Sequence, residues 1–117
     1  MEDSILLSVK KQLGIADEDD GFDTDIIIAI NTVFGILTQL GAGPKEGYSI
    51  GDSSEEWSDY LQDNVLLEMV KTYMYLKVKM IFDPPSGSSR SSYEELILEL
   101  ESRINYAVDP GWENMEE

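Results

Sequence analysis

The side chains in this sequence best able to do chemistry are carboxylates, and the first cluster of them is Asp17-Glu18-Asp19-Asp20-Gly21. It has the acid density and turn glycine of a calcium loop, but the register is wrong. With Gly21 as the turn glycine, Ala16 occupies the first ligand position and Ile27 the last, where a bidentate glutamate is needed. Gly41-Ala42-Gly43-Pro44-Lys45-Glu46-Gly47 has the glycines and lysine of a phosphate cradle. It follows a helix rather than a strand, and Lys45 is followed by Glu46 instead of Ser or Thr. The acids Glu55-Glu56, Glu94-Glu95 and Glu99 with Glu101 have the chemistry for proton transfer. They fall near helix N-termini or on solvent faces, where dipole complementarity and solubility account for them. The chain has no His and no Cys, which removes the usual proton shuttle, thiol nucleophile and zinc ligands. No nucleophile, base and orienting group remain to be assembled. The expectation is a protein with no catalysis, no metal and no cofactor.

With 24 acidic and 8 basic residues the formal net charge is -16, a surface that repels the DNA backbone and anionic lipid. Solubility is one use of such charge. Two others work beside nucleic acid: a wall past which DNA slides, or a DNA mimic that inhibits a basic nucleic-acid-binding partner. The 117 residues, 42% of them hydrophobic, suffice for one domain with a core that needs no disulfide. Met1-Glu2-Asp3 is acidic and no apolar run follows, so no signal peptide is expected. No segment reads as long and apolar enough to span a bilayer. These features describe a cytoplasmic protein without a membrane.

The elements that must position these groups are helical. Asp3 or Ser4 caps a first helix over 4–13, with Ile5, Leu6, Val9 and Leu13 on one face and Gly14 as its stop. After an acidic loop over 16–24, Asp23 or Thr24 caps a second helix that reaches Leu40 and ends at Gly41. From Ile26 through Pro44 there is no charged residue. Ile26, Ile27, Ile30, Val33, Phe34, Leu37 and Leu40 make its stripe, while Ile28 and Ile36 lie off it. Such a helix is either central to a bundle or turns a second face to another subunit. Tyr48 and Ile50 alternate like one short strand, and Ser53 with Glu56 has capping-box spacing for a helical turn through Trp57 and Leu61.

A third long helix is expected over 64–82, ended by Pro84-Pro85. At 100° per residue Glu68, Thr72, Tyr75 and Lys79 share a stripe that should face solvent, and Met69, Val70, Tyr73, Met74, Leu76, Met80 and Ile81 cover the other side. Lys77 falls within that apolar side. It either snorkels or pairs with a carboxylate of its own chain, or it crosses to an acid of a neighbouring subunit. A Ser-rich loop over 86–91 should lead to a last helix over 92–107, with Ser92 and Glu95 as a capping box. Its apolar stripe is Tyr93, Leu96, Ile97, Leu100, Ile104 and Ala107. The opposite face carries Glu94, Glu95 and Glu101 as well as Leu98 and Tyr106. The sum is an all-α, small four-helix bundle with long loops and one short strand near residues 48–50. Its helical domain spans 1–109 and an acidic C-terminal tail with Trp112 spans 110–117.

This layout resembles the small head-tail connector proteins of tailed bacteriophages and prophages, the head-completion adaptors also called DNA-packaging proteins. The resemblance covers residues 4 to 109 and is carried by an ordered set. Ser4-Ile5-Leu6-Leu7, Asp23-Thr24-Asp25-Ile26-Ile27, Ile30-Asn31 and Leu37-Thr38-Gln39-Leu40-Gly41 come first. Trp57-Ser58-Asp59-Tyr60, Lys71-Thr72-Tyr73-Met74-Tyr75-Leu76-Lys77-Val78-Lys79, Phe82-Asp83-Pro84-Pro85 and Arg103-Ile104-Asn105 follow. It implies a virion-neck protein made in the bacterial host cytoplasm, forming a ring of about twelve subunits below the portal. The ring would extend the DNA channel and meet a tail-side completion protein, with DNA passing through without specific binding. For subunit or partner contact the candidates are Tyr75, Lys77, Lys79, Phe82, Asp83, Pro84 and Pro85. The aromatics among them would otherwise cover the core edge, and the prolines would only stop a helix. For the channel wall the charge density singles out Asp17, Asp19 and Asp20, or Glu94, Glu95 and Glu101.

Overall fold

Ser4 begins the first helix, α1 (Ile5–Leu13), by accepting the Leu7 N–H at 3.2 Å, while its hydroxyl donates to the Ser53 carbonyl at 2.8 Å. One residue thereby caps a helix and holds a distant loop. Gly14 closes α1 in the left-handed region, φ 80°, a conformation that favours glycine. The computed structural model describes residues 3–108. Trp112 and the tail from residue 110 lie outside the described residues.

The second helix, α2 (Asp23–Leu40), ends at Gly41 as expected, but its start differs. Neither Asp23 nor Thr24 caps it. Phe22 stands at the N-cap without a side-chain hydrogen bond, because the Asp23 carboxylate is drawn instead to Lys10 Nζ, 2.8 Å away. By length and apolar composition α2 reaches the range of a membrane-crossing helix, which corrects the expectation that no segment would. Its Ile26, Ile30, Val33, Phe34 and Leu37 are fully buried inside the bundle.

Two local expectations for the connection after α2 are also corrected. No strand forms at residues 48–50. The Asn31 side chain of α2 takes both backbone groups of Ile50, accepting its N–H at 2.8 Å and donating to its carbonyl at 3.0 Å. A backbone satisfied by a side-chain amide needs no strand partner. The short helix α3 (Trp57–Tyr60) is capped by Asp59, which accepts the Glu56 N–H at 3.0 Å, and not by Ser53. The N-cap position falls at Glu56, three residues past Ser53. The base of α3 is sewn to the chain start through Ile5 N–H to Glu55 O and Trp57 N–H to Asp3 O, each 3.0 Å. Ser4 and Glu56 form an isolated antiparallel bridge there.

The fourth helix, α4 (Asn64–Phe82), has the expected bounds, with Asp63 accepting the Leu66 N–H at 3.1 Å and Pro84-Pro85 following its end. The last helix, α5 (Gly87–Val108), starts five residues before the expected Ser92. Serine opposes a helix by only a few tenths of a kcal/mol per residue. Helix propagated from the packed half therefore runs through the Ser-rich segment, aided by the Arg90–Glu94 pair at 3.2 Å one turn apart.

The core lies between α2 and α4, where Val70, Tyr73, Met74 and Val78 of α4 meet the buried stripe of α2. Helix α1 adds Ile5, Leu6 and Val9 to this pair, and α5 adds Ile97, Leu100 and Ile104. Helix α5 lies along α4 and meets α2 near their C-terminal ends, where the Asn105 amide donates to the Leu40 carbonyl at 3.2 Å. A Cβ on Gly41, φ 97°, would stand 2.9 Å from a Val108 methyl, so both backbone conformation and space call for glycine there. The fold is all-α among the described residues, a bundle of four long helices joined by the one-turn α3.

Candidate assembly surfaces

Lys10 organises one end of the molecule, and nothing in the sequence pattern marked it. It sits on α1 with no exposure. Its ammonium donates to the backbone carbonyls of Asp17 at 3.0 Å and Asp19 at 2.8 Å, and pairs with the Asp23 carboxylate. A buried ammonium is tolerable only when paired and hydrogen-bonded, and these three oxygens meet that requirement. Lys10 pulls two carbonyls of the acidic loop inward, while Asp17, Asp19 and Asp20 remain exposed residues. The Asp19 carboxylate also accepts the Gly21 N–H at 3.2 Å, tightening the turn. The signal that would have found Lys10 is long-range, since its oxygens lie seven to thirteen residues away along the chain.

The same end holds the close of α4. Phe82 is half-buried and meets Phe22 edge to face, centroids 5.5 Å apart and planes at 80°. Phe22 remains 48% exposed. Lys79 pairs with Asp83 at 3.0 Å, one turn apart at the helix C-terminus, where a cation is favoured by the dipole. Pro84 is exposed and Pro85 half-buried. Contact between Phe22 and Phe82 thus joins the acidic loop and the Phe-Asp-Pro-Pro segment, which the sequence presented as separate features.

Tyr75 differs from the solvent-facing position its helical angle suggested. It is half-buried, with its ring 6.4 Å from that of Trp57 and nearly perpendicular to it. Trp57 in turn lies 6.3 Å from Phe34 and 6.5 Å from Tyr60, and donates its indole N–H to Ser8 Oγ at 2.9 Å. The cause is α3, which lays Trp57 against a face of α4 that a simple bundle would leave to water. Burial pushes the Tyr60 hydroxyl up to about 12.

On α5 the three acids have three environments. Glu94 pairs with Arg90, Glu95 is exposed, and Glu101 is half-buried and accepts the Tyr73 hydroxyl at 2.7 Å. Burial and this bond to a carboxylate raise the Tyr73 hydroxyl well above the usual tyrosine range. Lys77 lies between α4 and α5, half-buried in an open groove of about 420 Å³ that it lines with Met80, Glu94, Ile97, Leu98 and Glu101. No carboxylate among the described residues comes within 4.0 Å of its ammonium. No group of three metal-ligating acids converges among the described residues.

Charged and exposed apolar groups share these surfaces. Comparison with known families gives the kind of protein that carries them. Residues 5–111 match the family described as phage connector protein. The chain belongs to that family. Neither the curated proteins nor the solved structures gave a match. The matched span takes in all five helices, so family membership and the all-α bundle describe one unit. The connector is a structural component of the phage virion neck, where it meets other virion proteins.

Proposed function

We propose that the connector forms a ring of about twelve copies below the portal. The ring extends the DNA channel and joins head to tail through a tail-side completion protein. The observation that carries this reading is the family match over residues 5–111. The ring acts by shape and charge, without catalysis or cofactor, and DNA passes without specific binding. The helical unit is residues 1–109 and the acidic tail 110–117, and the chain is made in the cytoplasm of the bacterial host.

The acidic loop is the better candidate for the channel wall. Glu94 is neutralised by Arg90 and Glu101 is occupied by Tyr73, leaving Glu95 as the outward charge among the three. In the loop, Lys10 binds backbone carbonyls and leaves Asp17, Asp19 and Asp20 exposed. A fixed row of carboxylates repels phosphate, so the DNA slides rather than sticks. Phe82, Asp83, Pro84 and Pro85 adjoin that loop and form the contact to the next ring of the neck, with Lys79 holding Asp83. Tyr75 contributes by keeping α3 against α4.

Deleting the gene from the phage or prophage that carries it tests the function. DNA-filled heads and unattached tails are expected to accumulate, and supplying the chain from a plasmid restores tailed, infectious particles. Normal yields of tailed particles from the deletion strain would contradict the reading.

A further inference from the structure

The unpaired ammonium in the α4–α5 groove identifies a contact between copies. Among the described residues, ion pairs take Lys10, Lys71, Lys79, Arg90 and Arg103, out of 8 cations in the sequence. Lys77 is half-buried, shares its groove with the apolar Met80 and Ile97 and with Glu94 and Glu101, which are engaged by Arg90 and the Tyr73 hydroxyl, and has no such pair among the described residues. Leu98 rises from the same groove 64% exposed. A partly desolvated cation beside an exposed leucine fits an incoming segment with one large apolar group and one free carboxylate a turn away.

The chain carries such a segment on α2. Ile28 is 60% exposed, and Asp25 stands one turn before it, exposed and outside every ion pair. Both point away from the stripe of α2 that packs in the core. Two turns further, Gly35 has open space where a Cβ would stand, which permits close approach of another backbone. Two other exposed apolar groups, Val65 and Ile81, lack a free acid of this kind. Beside Val65, Asp63 caps α4 and Glu68 pairs with Lys71 at 3.8 Å. Beside Ile81, Asp83 is paired with Lys79.

We infer that the α4–α5 groove of one connector receives the outer face of α2 of a second copy, with Asp25 on Lys77 and Ile28 against Leu98. The two patches differ, so the contact is head-to-tail and propagates around a closed ring. The inference rests on the ring reading and deepens it by naming the faces.

The chain has no cysteine, so a cross-link can be placed at will. Particles are assembled in the deletion strain from a plasmid-borne Ile28→Cys, Leu98→Cys double variant, purified and oxidised. A ladder of covalent oligomers is expected from the double variant, and no product above a dimer from either single variant. Particles that contain the double variant yet show no ladder would overturn the pairing while leaving the ring intact. Absence of the protein from particles that form normally would overturn the ring reading and this inference with it. As an independent check, Lys77→Glu is expected to lower the yield of tailed particles by about tenfold or more. Adding Asp25→Lys should restore it, and no recovery in the double charge reversal would also overturn the pairing.

Discussion

Replacing Lys10 with methionine should lower the stability of the connector by about 3 kcal/mol, the lower end of what breaking a buried ion pair costs. Methionine keeps the length and fills the space, so the loss reports the ammonium rather than a cavity. Two carbonyls and one carboxylate lose their shared donor. Asp23 is 29% exposed and recovers part of its hydration, which places the effect at the lower end. Urea unfolding followed by circular dichroism measures it, and a loss under about 1 kcal/mol would show that water replaces the ammonium with little penalty. The double variant with Asp23→Asn should lose less than the sum of the two single losses, because the second change removes the acid that the first strands. The effect extends beyond stability. Lys10 holds the acidic loop, and the loop delivers Phe22 to Phe82. Folded Lys10→Met protein should therefore support fewer tailed particles than its residual stability alone would give.

Trp57→Ala should cost more, about 4 kcal/mol, in line with the removal of a fully buried large aromatic. Trp57 has no exposure and touches the rings of Phe34, Tyr60 and Tyr75. Alanine would leave a void between α2, α3 and α4 that a four-residue helix cannot close. Trp57→Phe keeps most of the ring contact and loses the indole bond to Ser8. Because Ser8 Oγ still donates to the Ile5 carbonyl at 3.0 Å, that variant should lose only about 1 kcal/mol. Equal losses from the two variants, by the same urea measurement, would mean that the hydrogen bond outweighs the packing. Against a typical domain stability of about 5–15 kcal/mol, Trp57→Ala leaves little margin at growth temperature.

What the sequence made legible was whatever local rules govern. Ser4 and Gly14 bracket α1, Gly41 ends α2, and the two prolines end α4, each through capping or backbone restriction within a turn. The ordered motifs pointed to the connector family, which the match over 5–111 establishes. What escaped was decided by groups far apart in the chain. Asp23 reads as a cap until Lys10 claims it, and residues 48–50 read as a strand until Asn31 takes the backbone hydrogen bonds of Ile50. Tyr75 reads as solvent-facing until α3 brings Trp57 against it. The early start of α5 has a different origin, since a packed helix extends through serines whose individual opposition is small. For the assembly surfaces, sequence drew attention to Lys77 and the Asp-rich loop. It did not connect Lys77 with the α4–α5 groove, or the loop with the end of α4.

The measurement that bears most directly on the central claim is the copy number of this chain relative to the portal protein in purified, tailed particles, by quantitative mass spectrometry with labelled peptide standards. A ring seated on the portal requires about one connector per portal subunit, and that ratio is the expected result. Absence of the chain from intact particles, or its presence at a small fraction of the portal, would contradict the account.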